Sequence, residues 1–243
     1  MKTRGVASFC AHGRRGLSVV AMLAVTGLAA SANAQVITWN VGSGGWGTAA
    51  NWLPVNVPDN VGEDAVLGGG AAYTVSLSTA PAISPTIGAL SITNPLALLN
   101  IDVGRILTLN ANSTNNGVIQ INPQGQGGTT QLSVGTALTL GGTGEVRLRT
   151  GASNSQIGGT AVLTNGPSHT IRGVGRMVSA FTNQGLIAAD SSLFLASTNN
   201  FQIMAIPVAN TGTLSSRAGS TLLLSGTSIT QTGGARCSAT AAR

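Results

Sequence analysis

The stretch "TIRGVGRMVSAFTNQGLIAA", residues 170–189, has two incompatible readings. Gly173-Val174-Gly175 is either a phosphate-cradling loop or a corner in a repeating strand-turn pattern. A dinucleotide fingerprint needs G-x-G-x-x-G between a strand and a helix. Position 178 is Val, and strand signals follow where the helix should begin. A similar run, "LGGTGEV" at 140–146, recurs as a structural corner would. The glycines therefore read as corners, and the chain as a scaffold.

Working outward, apolar and polar residues alternate in short runs: "YTVSL", "ALSI", "ILTLN", "GVIQIN", "TQLSV", "ALTLG", "EVRLR" and "TLLLS". Each is bounded by Gly, Asn or Pro, the signature of short strands. Three motifs repeat. N-x-G-x-I/L occurs at Asn115, Asn183 and Asn210; G/D-x-x-L-x-L occurs at 104, 135, 190 and 219; the third is the glycine pair at 140 and 171. The spacings cluster at 27 to 31 residues, taking the step of 55 as two periods. One such unit cannot bury its apolar face alone, so units stack. The expectation is an all-β, right-handed parallel β-helix (solenoid) of roughly six irregular coils over residues 72–234, each adding about 4.8 Å. Residues 35–71 precede it as an N-terminal cap segment rich in Trp.

The first 34 residues read as a signal peptide. Lys2, Arg4, Arg14 and Arg15 precede the 14-residue apolar run 17–30, and Ala32-Asn33-Ala34 offers a cleavage site before Gln35. That run is shorter than the roughly 20 residues a membrane helix needs, and no transmembrane helix is expected in the mature chain. Of 12 basic residues four lie in the signal, whereas none of the six acids does, leaving a mature net charge of +2. The calculated pI of 11.1 belongs to the unprocessed chain, and no basic run interleaved with aromatics supports a nucleic-acid partner. Cys10 leaves with the signal, so Cys237 stands alone and no intramolecular disulfide is expected.

With "ITWNVGSGGWGTAANWLPVNVPDNVGEDAVLGG" at 37–69, and the later "IGALSI", "NNGVIQI", "TNQGLIAA" and "NTGTLSS", the chain resembles secreted bacterial β-helix surface proteins. These include autotransporter passenger domains with β-strand repeats. The resemblance implies a β-helix displayed outside a Gram-negative-type bacterium, at the cell surface or in the extracellular space, often in adhesion. The last residues, "ARCSATAAR" at 235–243, share nothing with the repeats. A truncated or frame-shifted passenger is the expectation they raise, with an unusual native tail as the alternative.

Four groups are candidate sites. Trp46 and Trp52, with Trp39, either cap the first coil or present indole faces to a glycan. Asp59, Glu63 and Asp64 form either a solvated turn or part of the 6 to 8 oxygen ligands that calcium requires. Aligning the glycine motif sets Glu145 opposite Arg176, and Arg147, Arg149 and Arg172 extend this into an arginine stripe that would suit acidic glycans. His169 lacks a metal-ligand companion and reads as a turn residue. Asp102, Glu145 and Asp190 are isolated in sequence, and no catalytic set is assigned. The expected function is non-catalytic: an exported surface or matrix protein contacting surface glycans or extracellular matrix. A carbohydrate-binding or carbohydrate-cleaving β-helix and a self-assembling extracellular protein are the alternatives.

Overall fold

The computed structural model describes residues 34–78, 83–151, 154–192, 200–204, 207–225, 228–232 and 236–239. The signal segment lies outside them, apart from Ala34. So do the leucines of the "DSSLFL" copy. Among the described residues no helix is long and apolar enough to cross a membrane.

The chain is an all-β solenoid of about seven turns, with the Trp cluster at its N-terminal end. Each turn carries up to three short strands, and like strands stack in parallel into three walls. The first wall runs from Gln35–Trp39 through Glu63–Leu67 and Leu90–Ile92 to Ile229–Gln231. The second begins at Gly44–Gly45 and Tyr73–Leu77, and the third at Thr86–Ile87 and Ile106–Leu109. Alternation within each strand sends every second side chain inward. In the second wall Val75, Leu99, Ile119, Val146, Ile171, Ile187 and Leu214 stand directly above one another. None is more than 1% exposed, and burying each such side chain stabilises by about 1.5–3 kcal/mol.

The strand Thr170–Met177 resolves the opening stretch. Its first half pairs with Glu145–Arg149 in the second wall, and its second half pairs with Ser155–Gly159 in the third. Gly173 (φ 128°) and Gly175 (φ 152°) lie at the bend. A Cβ on Gly173 would fall 2.1 Å from the Leu148 carbonyl oxygen, and one on Gly175 2.6 Å from that of Ser155. The chain turns a corner there without interrupting its ladder pairing.

Coils are shorter and less regular than 27 to 31 residues. Thr38 stands beside Val66, Val66 beside Ser91 and Ser91 beside Thr114, steps of 28, 25 and 23. The step from Asn165 to Asn183 is only 18, because Thr170–Met177 serves two walls with no connecting loop. The motif spacing misled because similar motifs occupy different walls. Ile106–Leu109 pairs with Thr130–Val134 in the third wall, whereas Leu138–Gly141 belongs to the first. The N-terminal segment is part of the stack, since Gln35–Trp39 pairs in parallel with Glu63–Leu67. At the other end Arg236–Ala239 adds a strand beside Thr213–Ser216.

Candidate functional site

The edge between the first and second walls carries a row of buried amides, at Asn94, Asn115, Asn165, Asn183 and Asn210. Here the N-x-G motif acquires its physical meaning. Asn165 donates through Nδ2 to Asn183 Oδ1 (2.8 Å), and Asn183 does the same to Asn210 Oδ1 (2.8 Å). All three amides are fully buried, each closing a tight corner and pairing with a neighbouring coil. The glycine two positions on lies against the preceding coil: a Cβ on Gly185 would meet Gly166 O at 2.3 Å, and one on Gly212 would meet Gly185 O at 2.2 Å.

One coil lacks its asparagine, since Leu140 stands beside Asn165 and the corner continues with Gly141 and Gly142. His169 spans that gap. Its Nδ1 lies 2.8 Å from Asn165 Oδ1 and its Nε2 lies 3.1 Å from Asn115 Nδ2. The amide oxygen can only accept and the amide nitrogen can only donate, so the ring carries its proton on Nδ1. Burial pushes the imidazole down to about 4, against a smaller opposing pull from Glu145. His169 is a turn residue, but it is also a substitute rung. The sequence signal for this was Asn165-Gly166, a further N-G corner four residues before it.

At the second coil the same edge opens. Residues 68–72 form a five-residue corner, against two to four residues at the others on this edge. Together with residues 38–42 and Tyr73 they enclose a groove of about 360 Å³. Trp39 Nε1 donates to Gly42 O (2.8 Å) and the Tyr73 hydroxyl to Gly68 O (2.7 Å). Asn94, from the next coil, braces the loop by donating to Ala71 O (2.7 Å).

Trp46 and Trp52 do not present faces to solvent, and this corrects the glycan expectation for them. They are 0% and 1% exposed. Trp52 packs edge-on against both Trp39 and Trp46, with ring centroids 4.9 and 4.8 Å apart. Trp46 Nε1 donates to Pro58 O, and Trp52 Nε1 to Trp46 O. Three large rings at the end of the stack satisfy one another's surface, leaving no indole face on this pair for a pyranose.

The acidic trio does not converge either. Glu63 and Asp64 are adjacent in one strand and so point to opposite faces. Glu63 is buried, accepting from Asn56 Nδ2 (2.7 Å) and from the backbone N–H groups of Asp59 (2.8 Å) and Asn60 (3.3 Å). Asp64 Oδ1 accepts from the Ala89 N–H at 2.7 Å in the next coil. The carboxylates of Glu63 and Asp64 organise backbone. Among the described residues no three His, Cys, Asp or Glu side chains gather as a metal would require.

Glu145 stands beside Thr170 rather than Arg176. The two glycine pairs occupy different corners, so aligning them misplaced the register. Glu145 instead pairs with Arg147 and Arg172, while Arg176 donates to Gln156. Arg172 Nη1 also reaches Asp190 Oδ2 (3.2 Å), which Arg217 Nη1 meets at 3.3 Å. The result is a zigzag, Arg147–Glu145–Arg172–Asp190–Arg217, that pairs two of the four stripe arginines with acids, while Arg149 and Arg176 donate to the neutral amides of Gln120 and Gln156. Burial raises the Glu145 carboxyl, but hydrogen bonds from Arg172 and Arg147 outweigh it and hold the group below its usual range. Asp190 is likewise lowered, its burial outweighed by hydrogen bonds from Ser192 and by Arg217 and Arg172. Asp102 sits apart, raised by burial and bonded to Gln124 (2.8 Å). Two acids isolated in sequence thus meet on one arginine, in a charge-paired arrangement that holds both ionised.

No protein-family model, curated protein or solved structure matches the chain.

Proposed function

We propose that the protein is an exported, non-catalytic surface or matrix scaffold of adhesin-like type. Its stacked walls present many weak contacts to surface glycans or extracellular matrix. The observation that carries this reading is where the chemistry-bearing side chains go. Buried amides tie coil to coil, Glu63 and Asp64 bind backbone, and Glu145 and Asp190 are held ionised by arginines. The polar groups that a catalytic site would aim at a substrate are spent on rigidity. A stack held this way suits display, because its outer faces accept substitution without disturbing the interior.

Expressing the whole chain in a Gram-negative host tests this. The expected outcome is protein in the medium or on the surface, with an N-terminus at Gln35, and increased attachment of the cells to a glycan-coated surface. Protein retained inside the cell with residues 1–34 intact would overturn the export reading. Turnover of a polysaccharide by the purified protein would overturn the non-catalytic one.

A further inference from the structure

We propose that the outer face of the first wall binds ice, holding ordered water on a column of threonines. Thr139, Thr164, Thr182, Ala209 and Thr230 stand beside one another in five successive coils. Strand alternation turns them outward: the residues on either side of Thr139, Thr164 and Thr182 are all buried. An adjoining column extends the hydroxyls toward the N-terminal end, with Thr114 between Ser91 and Gly141. The seven strands of this wall from Leu90–Ile92 to Ile229–Gln231 contain no charged residue. Their one aromatic side chain, Phe181, is buried. The other walls differ in kind. Outward positions of the second carry Glu145, Arg147 and Arg172, and those of the third carry Gln131, Gln156 and Arg176, long side chains bonded to one another.

The column selects its partner by charge and by spacing. Paired strands lie about 4.8 Å apart, so like hydroxyls recur at that interval. It is close to the repeat of like oxygens along the basal axes of hexagonal ice. The branched Cβ of threonine restricts χ1, which fixes where each hydroxyl points. Those of Thr139, Thr164, Thr182 and Thr230 make no hydrogen bond to the described residues. Waters held on them therefore keep set distances from one another, as in a lattice and unlike the liquid. Charged groups would orient hydration shells of their own that fit no lattice, and these strands carry none. A crystalline polysaccharide also presents hydroxyls, but the wall offers no exposed ring to stack on sugar faces. A neutral array of hydroxyls and methyls at strand spacing matches the neutral surface of ice.

This inference stands apart from the adhesive reading, because its test uses purified protein and ice rather than cells. Freezing a dilute solution of the purified full chain slowly onto a cold surface should concentrate it in the ice. A protein without affinity stays in the liquid. Thr164→Lys combined with Thr182→Lys sets two cations in the column and should leave the chain in the liquid. Circular dichroism and melting should be unchanged, since both positions face outward. Thr164→Lys alone carries the test if the double variant does not fold. Thr108→Lys, at an outward position of the third wall, is the control and should follow the natural chain into the ice. Exclusion of the natural chain from ice overturns the proposal. Equal uptake of the natural chain and the column variants overturns it too, as does an equal loss in the Thr108 control. Retention on crystalline cellulose or chitin that the column variants lose, with no uptake into ice, would overturn it in favour of a polysaccharide.

Discussion

His169 can bridge Asn115 and Asn165 only while neutral, because a second ring proton would turn Nε2 from acceptor to donor against the Asn115 amide nitrogen. Its folded value of about 4 lies below the ordinary 6.5. Between these two values the unfolded chain binds the proton and the folded chain does not, so stability rises with pH across that window. The contribution is complete above pH 6.5 and is lost as pH falls toward 4; the shift corresponds to about 3 kcal/mol. Glu145 and Asp190, both lowered, lose their contributions below their ordinary 4.5 and 3.8, while Asp102, raised, works in the opposite sense. The interval from 6.5 down to about 4.5 therefore isolates the histidine from the two lowered acids. Urea unfolding at pH 7.5 and 4.5 should show a clear loss for the natural chain and a much smaller one for His169→Gln. Equal losses in both would mean that the imidazole does not govern the acid limb. A second residue-scale prediction concerns Gly185, where a methyl would lie 2.3 Å from two backbone oxygens, Gly166 O and His169 O. Backbone cannot swing aside as a side chain does, so Gly185→Ala should destabilise by about 1–3 kcal/mol in thermal or urea unfolding. An unchanged midpoint would show that the neighbouring coil yields.

At the scale of the element, the unit of stability is the column of like residues through the stack rather than the single strand. Ile119 lies in the middle of the second-wall column, between Leu99 and Val146, with no exposed surface. Ile119→Ala should lower stability by about 2–5 kcal/mol, the range for a large core residue whose cavity cannot collapse. Val162, 40% exposed at a corner, is the matched control, and its alanine variant should stay within about 0.5 kcal/mol. Comparable effects at both sites in urea melts would contradict columnar packing. This scale also explains what the sequence could convey. Alternation is local, so "YTVSL" and "EVRLR" announce their strands and inward faces directly. Register is a relation between coils, and similar local motifs arise in different walls. Leu107 and Leu138 sit in matching six-residue motifs yet face different neighbours. The pairing of Glu145 with Arg172 was therefore hidden, as was the role of His169, which depends on a rung missing from another coil. The groove was harder still to see, because it comes from a longer corner, and corner length becomes visible only once both flanking strands are placed.

At the scale of the whole stack, the N-terminal end is closed by its own strand and rings. At the N-terminal end Trp52–Leu53 runs antiparallel to Gln35–Trp39, so the parallel ladder of the first wall ends against a strand of opposite direction. Trp39, Trp46 and Trp52 close the interior behind it. A parallel edge with an open apolar interior is a template for another chain, and a reversed strand backed by a sealed core is a poor one. The cap thus has two separable effects, packing and edge protection. Trp52→Ala removes the ring that joins the other two and should cost about 3–5 kcal/mol. If the cap also protects the edge, the variant should self-associate below its melting temperature, seen as rising light scattering, while Ile119→Ala, similarly destabilised, stays monodisperse. That contrast separates loss of the cap from loss of stability. Scattering that rises equally in both variants would mean that partial unfolding drives association. Scattering that rises in neither would confine the tryptophans to packing.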